Sequence, residues 1–419
     1  DFCRGELEPL YVSGPYNVRK IPVPRFDLQA KQQVLPISLE ATRGCPFSCD
    51  FCVLTGIGTR HHVRPAEAVV RDIRRAQAML RDRTRWHQRY RLNAVVFADN
   101  NIGGNRKYLK QLTEALTPLG IRWGSSITFN VISNEDTVKM LSRSGCRSLY
   151  VGLESFNPEA IADMRKPQNI VDEIENVLTL CHHHGIAIES GLMLSPTIDD
   201  SHYMQTIPSR LKESGLGVPG FMCFESPIPG TPHFHRLAVE DPPALLPHAL
   251  LRDFNGYTLV TRPKRESLDL FIDTYKWLLT SIYSRTSILG KYAHDLQRFL
   301  CGGHLDTAII GAGQRRGWRG PDPDRTYVAG TDTPPPEATS VPFSDDDFDS
   351  ENEHRLILDP CRVTDASGRV LPEWLHSTRV FAPKGRISAD ALRLTAKLQA
   401  NQPQRSLPRQ TGRNLIGGP

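Results

Sequence analysis

Gly44-Cys45-Pro46-Phe47-Ser48-Cys49-Asp50-Phe51-Cys52 places three thiols in one short loop, directly after an apolar stretch, Pro36–Glu40, that reads as a strand. No Cys or His follows at a spacing that completes a four-ligand site. Iron–sulfur clusters are normally held by four thiolates. Three thiolates on a four-iron cluster would leave one iron open to a small molecule. Two plainer readings compete. Thiols four and then three residues apart would share one helical face, but Gly44 and Pro46 are poor residues for a helix interior. A structural zinc ion would want a fourth ligand, and His61 and His62 are the nearest candidates, at an unusual distance.

Outward from this loop the chain alternates short apolar runs with amphipathic ones. Strands are expected at Pro36–Glu40, Asn93–Ala98, Arg122–Val131, Ser148–Leu153, Ile186–Leu194 and Gly220–Glu225. Helices are expected over Pro65–Tyr90, Asn105–Leu116, Asn134–Ser144 and Ser201–Ser214. Pro65 sits in a first turn, where its missing N–H costs nothing; Asn134 caps and Gly145 ends the third helix. This alternation predicts a parallel α/β sheet. Six units are too few for a closed eight-fold barrel and suit an open partial (β/α)6 TIM-like barrel.

The expected organisation is an extended, Pro-rich lead-in over 1–35, the partial barrel over 36–235 and a C-terminal helical extension over 236–310. A disordered linker follows over 311–353, with Pro334-Pro335-Pro336 and an acidic run at Asp345–Glu353. Residues 354–419 form a small or disordered C-terminal region, with one short strand pair and a helix, Ser388–Ala400, as its only expected order.

The Cys-x3-Cys-x2-Cys spacing resembles the signature of the radical S-adenosylmethionine enzymes. The resemblance covers residues 20–300 and implies the partial barrel already read from the alternation. It implies a [4Fe–4S] cluster on Cys45, Cys49 and Cys52, whose open iron chelates the amino and carboxylate groups of S-adenosylmethionine. It also implies reductive cleavage to a 5′-deoxyadenosyl radical, which takes hydrogen from a small-molecule substrate. A reducing protein such as a flavodoxin or ferredoxin would supply the electron.

Catalytic residues of parallel β/α barrels come from the C-terminal ends of strands. Asp99, before Asn100-Asn101-Ile102-Gly103-Gly104, sits where the family holds the amino group of the methionine moiety; its plainer role is an Asx-turn. Glu154 and Ser155, in Gly152-Leu153-Glu154-Ser155, match the family's sequence at the fourth strand, with Glu154 able to accept from ribose hydroxyls or the ammonium. A cap for the helix at Pro158 is the alternative. Gly191 and Ser195 fall where the family approaches the adenosine, although relatives usually have Gly where Ser195 stands; close packing is the alternative for Gly191. Glu225-Ser226-Pro227-Ile228-Pro229-Gly230-Thr231-Pro232 resembles the Pro-Gly-Thr-Pro turn of cobalamin-associated members. Those members carry a cobalamin domain ahead of the barrel, and the residues before 20 are too few for one, so cobalamin is possible but not supported by this chain.

Other features read as structural. His182-His183-His184 marks a solvated helix end. Arg71, Arg74, Arg75 and Arg81 form a solvated face, and Cys146, Cys181, Cys223, Cys301 and Cys361 suggest no second cluster. The 419 residues carry 51 basic and 46 acidic side chains, a net +5 too mild to indicate nucleic acid. Nine cysteines without a disulfide framework fit a reducing cytoplasm, and no apolar run approaches the ~18–20 residues of a membrane span. Two further functions stay open: a cobalamin-dependent methyltransferase whose cobalamin domain lies outside this sequence, and a non-catalytic metal-binding scaffold.

Overall fold

The computed structural model describes residues 21–308, apart from 30–36, 59, 82–91, 247, 248 and 250–252. The expected lead-in before residue 21, the linker and the C-terminal region with its strand pair and helix therefore lie outside the described residues, as does Cys361.

Five strands form one parallel sheet in chain order: β1 (Ile37–Leu39), β2 (Ala94–Phe97), β3 (Arg122–Ile127), β4 (Cys146–Val151) and β5 (Ala187–Glu189). A separate parallel pair, β6 (Gly191–Leu194) and β7 (Phe221–Phe224), continues the curve. The single strand expected over Ile186–Leu194 is broken at Ser190. There the Ser190 hydroxyl accepts from the Leu153 amide at 3.2 Å and its carbonyl from the Gly220 amide at 2.7 Å. A backbone bridge between Glu154 and Leu192 joins the two sheets across the break. The result is the open partial barrel, bent at its fifth strand.

Helices cover the outer face: α1 (Ala66–Arg81), α2 (Arg106–Leu116), α3 (Glu135–Arg143), α4 (Pro158–Asp163), α5 (Ile174–His183) and α6 (Ser201–Glu213). Their starts are written in short polar side chains. Asn105, Asn134 and Asp200 accept from the amides of Tyr108, Thr137 and Tyr203, each at 2.9 Å. Each cap is worth ~1 kcal/mol. The stretch expected as strand to Val131 instead ends at Ile127 and turns into a short helix, Phe129–Ile132, whose Phe129, Val131 and Ile132 are buried. An apolar run of this length fits either state, and packing decided it.

The strands' outward side chains and the helices' inner faces make one continuous core that includes Val95, Phe97, Leu112, Trp123, Leu149 and Ile188. Trp123 meets the Phe97 ring edge-on at 5.6 Å, and its indole N–H donates to the Ser144 carbonyl at 3.1 Å. After β7 the chain runs through short turns to α7 (Leu268–Ile282) and α8 (Arg285–Cys301). Phe224 of β7 packs on Tyr275 and Phe271 of α7 at ring distances of 4.4 and 6.2 Å. Phe224 therefore faces outward, and the strand's alternation turns its neighbours Cys223 and Glu225 to the barrel interior.

One helix end departs from expectation. His182 is buried, not solvated: it packs edge-on to Phe299 of α8 at 5.6 Å and is hydrogen-bonded by Arg298. Burial pushes its pKa down to about 3, so the ring stays neutral. Arg71, Arg74, Arg75 and Arg81 are exposed on α1, as their spacing suggests.

Candidate metal and cofactor site

The cysteine loop leaves β1 through a stem that Asp99 holds. Asp99 Oδ1 accepts from the Ala41 amide at 2.9 Å; Oδ2 accepts from the Thr42 amide at 2.8 Å and the Thr42 hydroxyl at 2.9 Å. The residue is 4% exposed, and burial pushes its pKa up to about 7. This geometry gives Asp99 a role in holding the chain. Both of its oxygens are engaged by the chain, so it clamps the loop. The cap of the next helix is Asn105.

Its neighbours reach the thiols instead. Asn100 Oδ1 accepts from the Gly44 amide at 3.0 Å, fixing the loop where Gly44 has φ +84°. Asn101 Nδ2 lies 3.6 Å from Cys45 Sγ, and Gln168 Nε2 donates to Cys49 Sγ at 3.2 Å. Cys49 is buried; Cys45 and Cys52 are partly exposed. Burial pushes the Cys49 thiol up, Lys166 and Gln168 oppose it, and the charges of Cys52 and Cys45 add to the rise, so the three sulfurs share one electrostatic neighbourhood.

Two contacts brace the far flank of the loop. The Asp50 amide donates to the Met164 carbonyl and the His233 amide to the Asp50 carbonyl, both at 3.1 Å. A Cβ on Gly56 would stand 2.6 Å from the Gly230 carbonyl oxygen, so a glycine is required where the cysteine segment meets the Pro-Gly-Thr-Pro turn. That turn packs against the loop, and Thr231 Oγ1 caps the following segment by accepting from the Phe234 amide at 3.1 Å.

Glu154 ends β4 with φ +64°, a left-handed conformation that costs a non-glycine residue ~1–3 kcal/mol and clusters at functional sites. Its carboxylate pairs with Lys166, whose ammonium also donates to the Gly152 carbonyl at 2.9 Å. The pair is nearly buried, at 8% and 10% side-chain exposure. Glu154 does not cap α4; Asn157 does, accepting from the Glu159 amide at 3.0 Å.

The remaining expected residues make contacts within the protein. Ser155 Oγ lies 2.8 Å from the Tyr203 hydroxyl and accepts from the Asn157 amide at 3.0 Å, so it joins β4 to α6 rather than presenting a hydroxyl. A Cβ on Gly191 would fall 2.2 Å from the Phe221 ring, which stacks on Tyr150 at 6.1 Å. Close packing is what Gly191 provides. Ser195 is fully buried; its amide donates to Asp199 Oδ2 at 2.7 Å and its hydroxyl lies 3.3 Å from that of Thr197. All three meet neighbouring protein atoms.

The inward-facing end of β7 carries a group the sequence reading treated only as part of a turn. Glu225 is 1% exposed, and His233 Nδ1 lies 3.6 Å from its carboxylate. Ligand atoms of Asp163, Glu225 and His233 lie within 4.8 Å of one another. Arg236 already supplies the positive charge, however, with 2.7 Å to Asp163 Oδ1 and 3.1 Å to His233 Nδ1. Burial pushes Glu225 up to about 8, and burial with Arg236 pushes His233 down to about 4. A folded-state value above the ordinary 4.5 means that the folded chain keeps a proton the unfolded chain has lost. Glu225 thus favours folding below pH 4.5, and this is lost as pH rises through about 8. Glu225→Gln is expected to flatten that decline, each pKa unit being worth at most ~1.4 kcal/mol. Urea midpoints of both proteins from pH 5 to 9 check it; parallel curves would refute it.

The Radical SAM superfamily profile matches residues 39–207, from the end of β1 into α6. Over those residues the chain matches the radical S-adenosylmethionine superfamily. It is 26% identical over 298 residues to a bacteriochlorophyllide d C-12(1)-methyltransferase of Chlorobaculum tepidum, covering 70% of this chain and 62% of that protein. A hopanoid C-2 methylase of Rhodopseudomonas palustris is 24% identical over 282 residues, covering 66% and 50%. The chain thus spans between half and two thirds of the length of these relatives. Among solved structures, the cobalamin-dependent S-adenosylmethionine radical enzyme OxsB matches with a TM-score of 0.48 at 12% identity, over 73% of this chain and 53% of that one.

Members of the radical S-adenosylmethionine superfamily are enzymes, and their cofactors are a [4Fe–4S] cluster and S-adenosylmethionine. The residues present fit the cluster. Among the described residues, no trio of ligand atoms within 4.8 Å includes these thiols. Four ligands at the 2.3 Å of a zinc–sulfur bond would stand ~3.8 Å apart, closer together than the three sulfurs stand here. Gln168 Oε1 is buried without a partner, a polar atom of the kind that marks a place for a ligand.

Gln168, Asn101, Lys166 and Glu225 escaped the sequence reading. Lys166 and Gln168 lie more than a hundred residues from the thiols in the chain, and only the barrel brings them together. The polar run Lys166-Pro167-Gln168-Asn169, in a connection that a solvated turn would also explain, was the one available signal.

Proposed function

We propose that this chain reductively cleaves S-adenosylmethionine at a cluster held by Cys45, Cys49 and Cys52, and that the reaction it serves is methyl transfer to a small molecule. The observation carrying the first part is the loop itself: three thiols on a clamped stem, two of them met by side-chain amides. The second part rests on the relatives, whose names are methyltransferase and methylase. When bound, the two cofactors supply one-electron chemistry that opens a carbon–hydrogen bond.

The chain's own residues have separate tasks in this reading. Asp99 and Asn100 fix the loop, and the Glu154–Lys166 pair shapes the end of β4 beside the ligand. The interior end of β7 presents Cys223 and Glu225 to a substrate beneath it. A flavodoxin-like or ferredoxin-like protein is the proposed electron donor, and cobalamin the proposed methyl carrier, supplied by a part of the protein beyond this sequence or added free.

Anaerobic reconstitution with iron and sulfide tests the reading in stages. About four irons per chain with broad absorbance near ~400 nm are expected. Dithionite and S-adenosylmethionine should then release 5′-deoxyadenosine, and added cobalamin should bring out S-adenosylhomocysteine as well. Iron without 5′-deoxyadenosine would refute cleavage and favour a scaffold. 5′-Deoxyadenosine alone, with cobalamin and candidate substrates present, would favour plain hydrogen abstraction.

A further inference from the structure

We infer that Gln168 is a positioning residue for the cluster: its carboxamide N–H, held on Cys49 Sγ, makes the reduced cluster easier to reach. This rests on the cluster reading above. An electron added to an iron–sulfur cluster increases the negative charge on its sulfurs. Hydrogen bonds to the sulfurs, net charge and solvent exposure set the potential. A buried amide donor therefore stabilises the reduced form more than the oxidised one.

Three features make Gln168 suited to this. First, the contact is short for N–H···S, at 3.2 Å, and both residues are buried, Gln168 at 6% and Cys49 at 8% exposure, so water is poorly placed to replace the donor. Second, its loop is pinned on either side of it. Asn169 Nδ2 donates to the Gly152 and Leu153 carbonyls, both at 2.8 Å, and its amide to the Lys166 carbonyl at 3.1 Å. Lys166 is anchored on Gly152 and Glu154. The side chain is thus carried by the rigid end of β4, the strand end that also bears Glu154. Third, a carboxamide neither gains nor loses a proton at working pH, so the donor persists whatever the redox state. Asn101 makes the longer, shared contact to Cys45, 3.6 Å from Sγ and 3.4 Å from the Thr128 hydroxyl. Gln168 dominates.

Gln168→Met keeps the length and removes the N–H. With the full chain reconstituted, wild type and variant are titrated anaerobically by electron paramagnetic resonance, with iron counted and folding followed by circular dichroism. A tenfold change in the oxidised-to-reduced ratio at fixed potential, about 59 mV toward more negative potential for a one-electron couple, is expected at unchanged iron content. Equal potentials with equal iron would overturn the inference while leaving the cluster reading intact. Failure of wild type itself to bind iron would remove the cluster reading instead.

A second measurement needs no variant. In protein labelled with 15N-glutamine, the reduced wild-type cluster should show a nitrogen coupling that shifts with the isotope. A spectrum indifferent to the label would equally overturn the assignment.

Discussion

Alanine at Cys45, Cys49 or Cys52 leaves a chain that folds yet binds far less than four irons and releases no measurable 5′-deoxyadenosine. Outer-shell partners of metal sites cost roughly 10–100-fold in affinity or activity when removed. A direct ligand to a cubane already short of its fourth thiolate should cost more, on the order of 10³-fold or beyond. The three variants should differ in stability. Cys49 is buried, whereas Cys45 and Cys52 are partly exposed, so Cys49→Ala also leaves a small void in the core. Iron analysis and chromatographic product assay check the first claim, and urea unfolding the second. Full iron and full cleavage in any one variant would sink the ligand assignment.

Lys166→Met is the next largest effect. The Lys166–Glu154 pair is nearly out of water, and removing one member strands the other charge. Breaking such a pair costs ~3–5 kcal/mol. The penalty adds to a residue already held left-handed at φ +64°. Glu154→Gln combined with Lys166→Met should recover much of that loss, because no charge is then left alone. The double variant should still bind S-adenosylmethionine weakly if Glu154 faces the ribose. Equilibrium urea unfolding of the two single variants and the double settles the stability part. Additive losses would mean that the pair is not coupled, contrary to the geometry.

Much of this architecture could be read from residue order. Alternating apolar runs located all six barrel units within a residue or two at most ends, because strands covered on both faces are written as short continuous apolar runs. The Asn134 cap was legible because capping is local, while the break at Ser190 was hidden. Ile186–Leu194 has no proline, its Glu189-Ser190-Gly191 was the one local sign of a break, and the kink is held by hydrogen bonds from Leu153 and Gly220, remote in the chain.

The site shows the same division. Three thiols in one loop announce themselves, since ligand spacing is a local property. A polar residue at a strand end, such as Asp99 or Ser155, can meet a cofactor or hold the chain, and residue order does not show the packing partners that each one has. Gln168 was missed for the converse reason. An ordinary residue type in an ordinary turn becomes a thiol partner only when β4 and the cysteine loop stand side by side.

The Asp99 clamp has a further consequence. The thiol loop is tied at its stem by three hydrogen bonds and on its far flank to Met164 and His233, none of them through a cysteine sulfur. Small zinc domains draw their folding free energy from the ion and collapse when it is stripped. Here a continuous barrel core and these contacts supply folding free energy that does not pass through the sulfurs. Air or chelator should therefore silence the protein while sparing its shape, so that damage in the cell is an inventory problem of iron and sulfide, mendable in place without making the polypeptide anew.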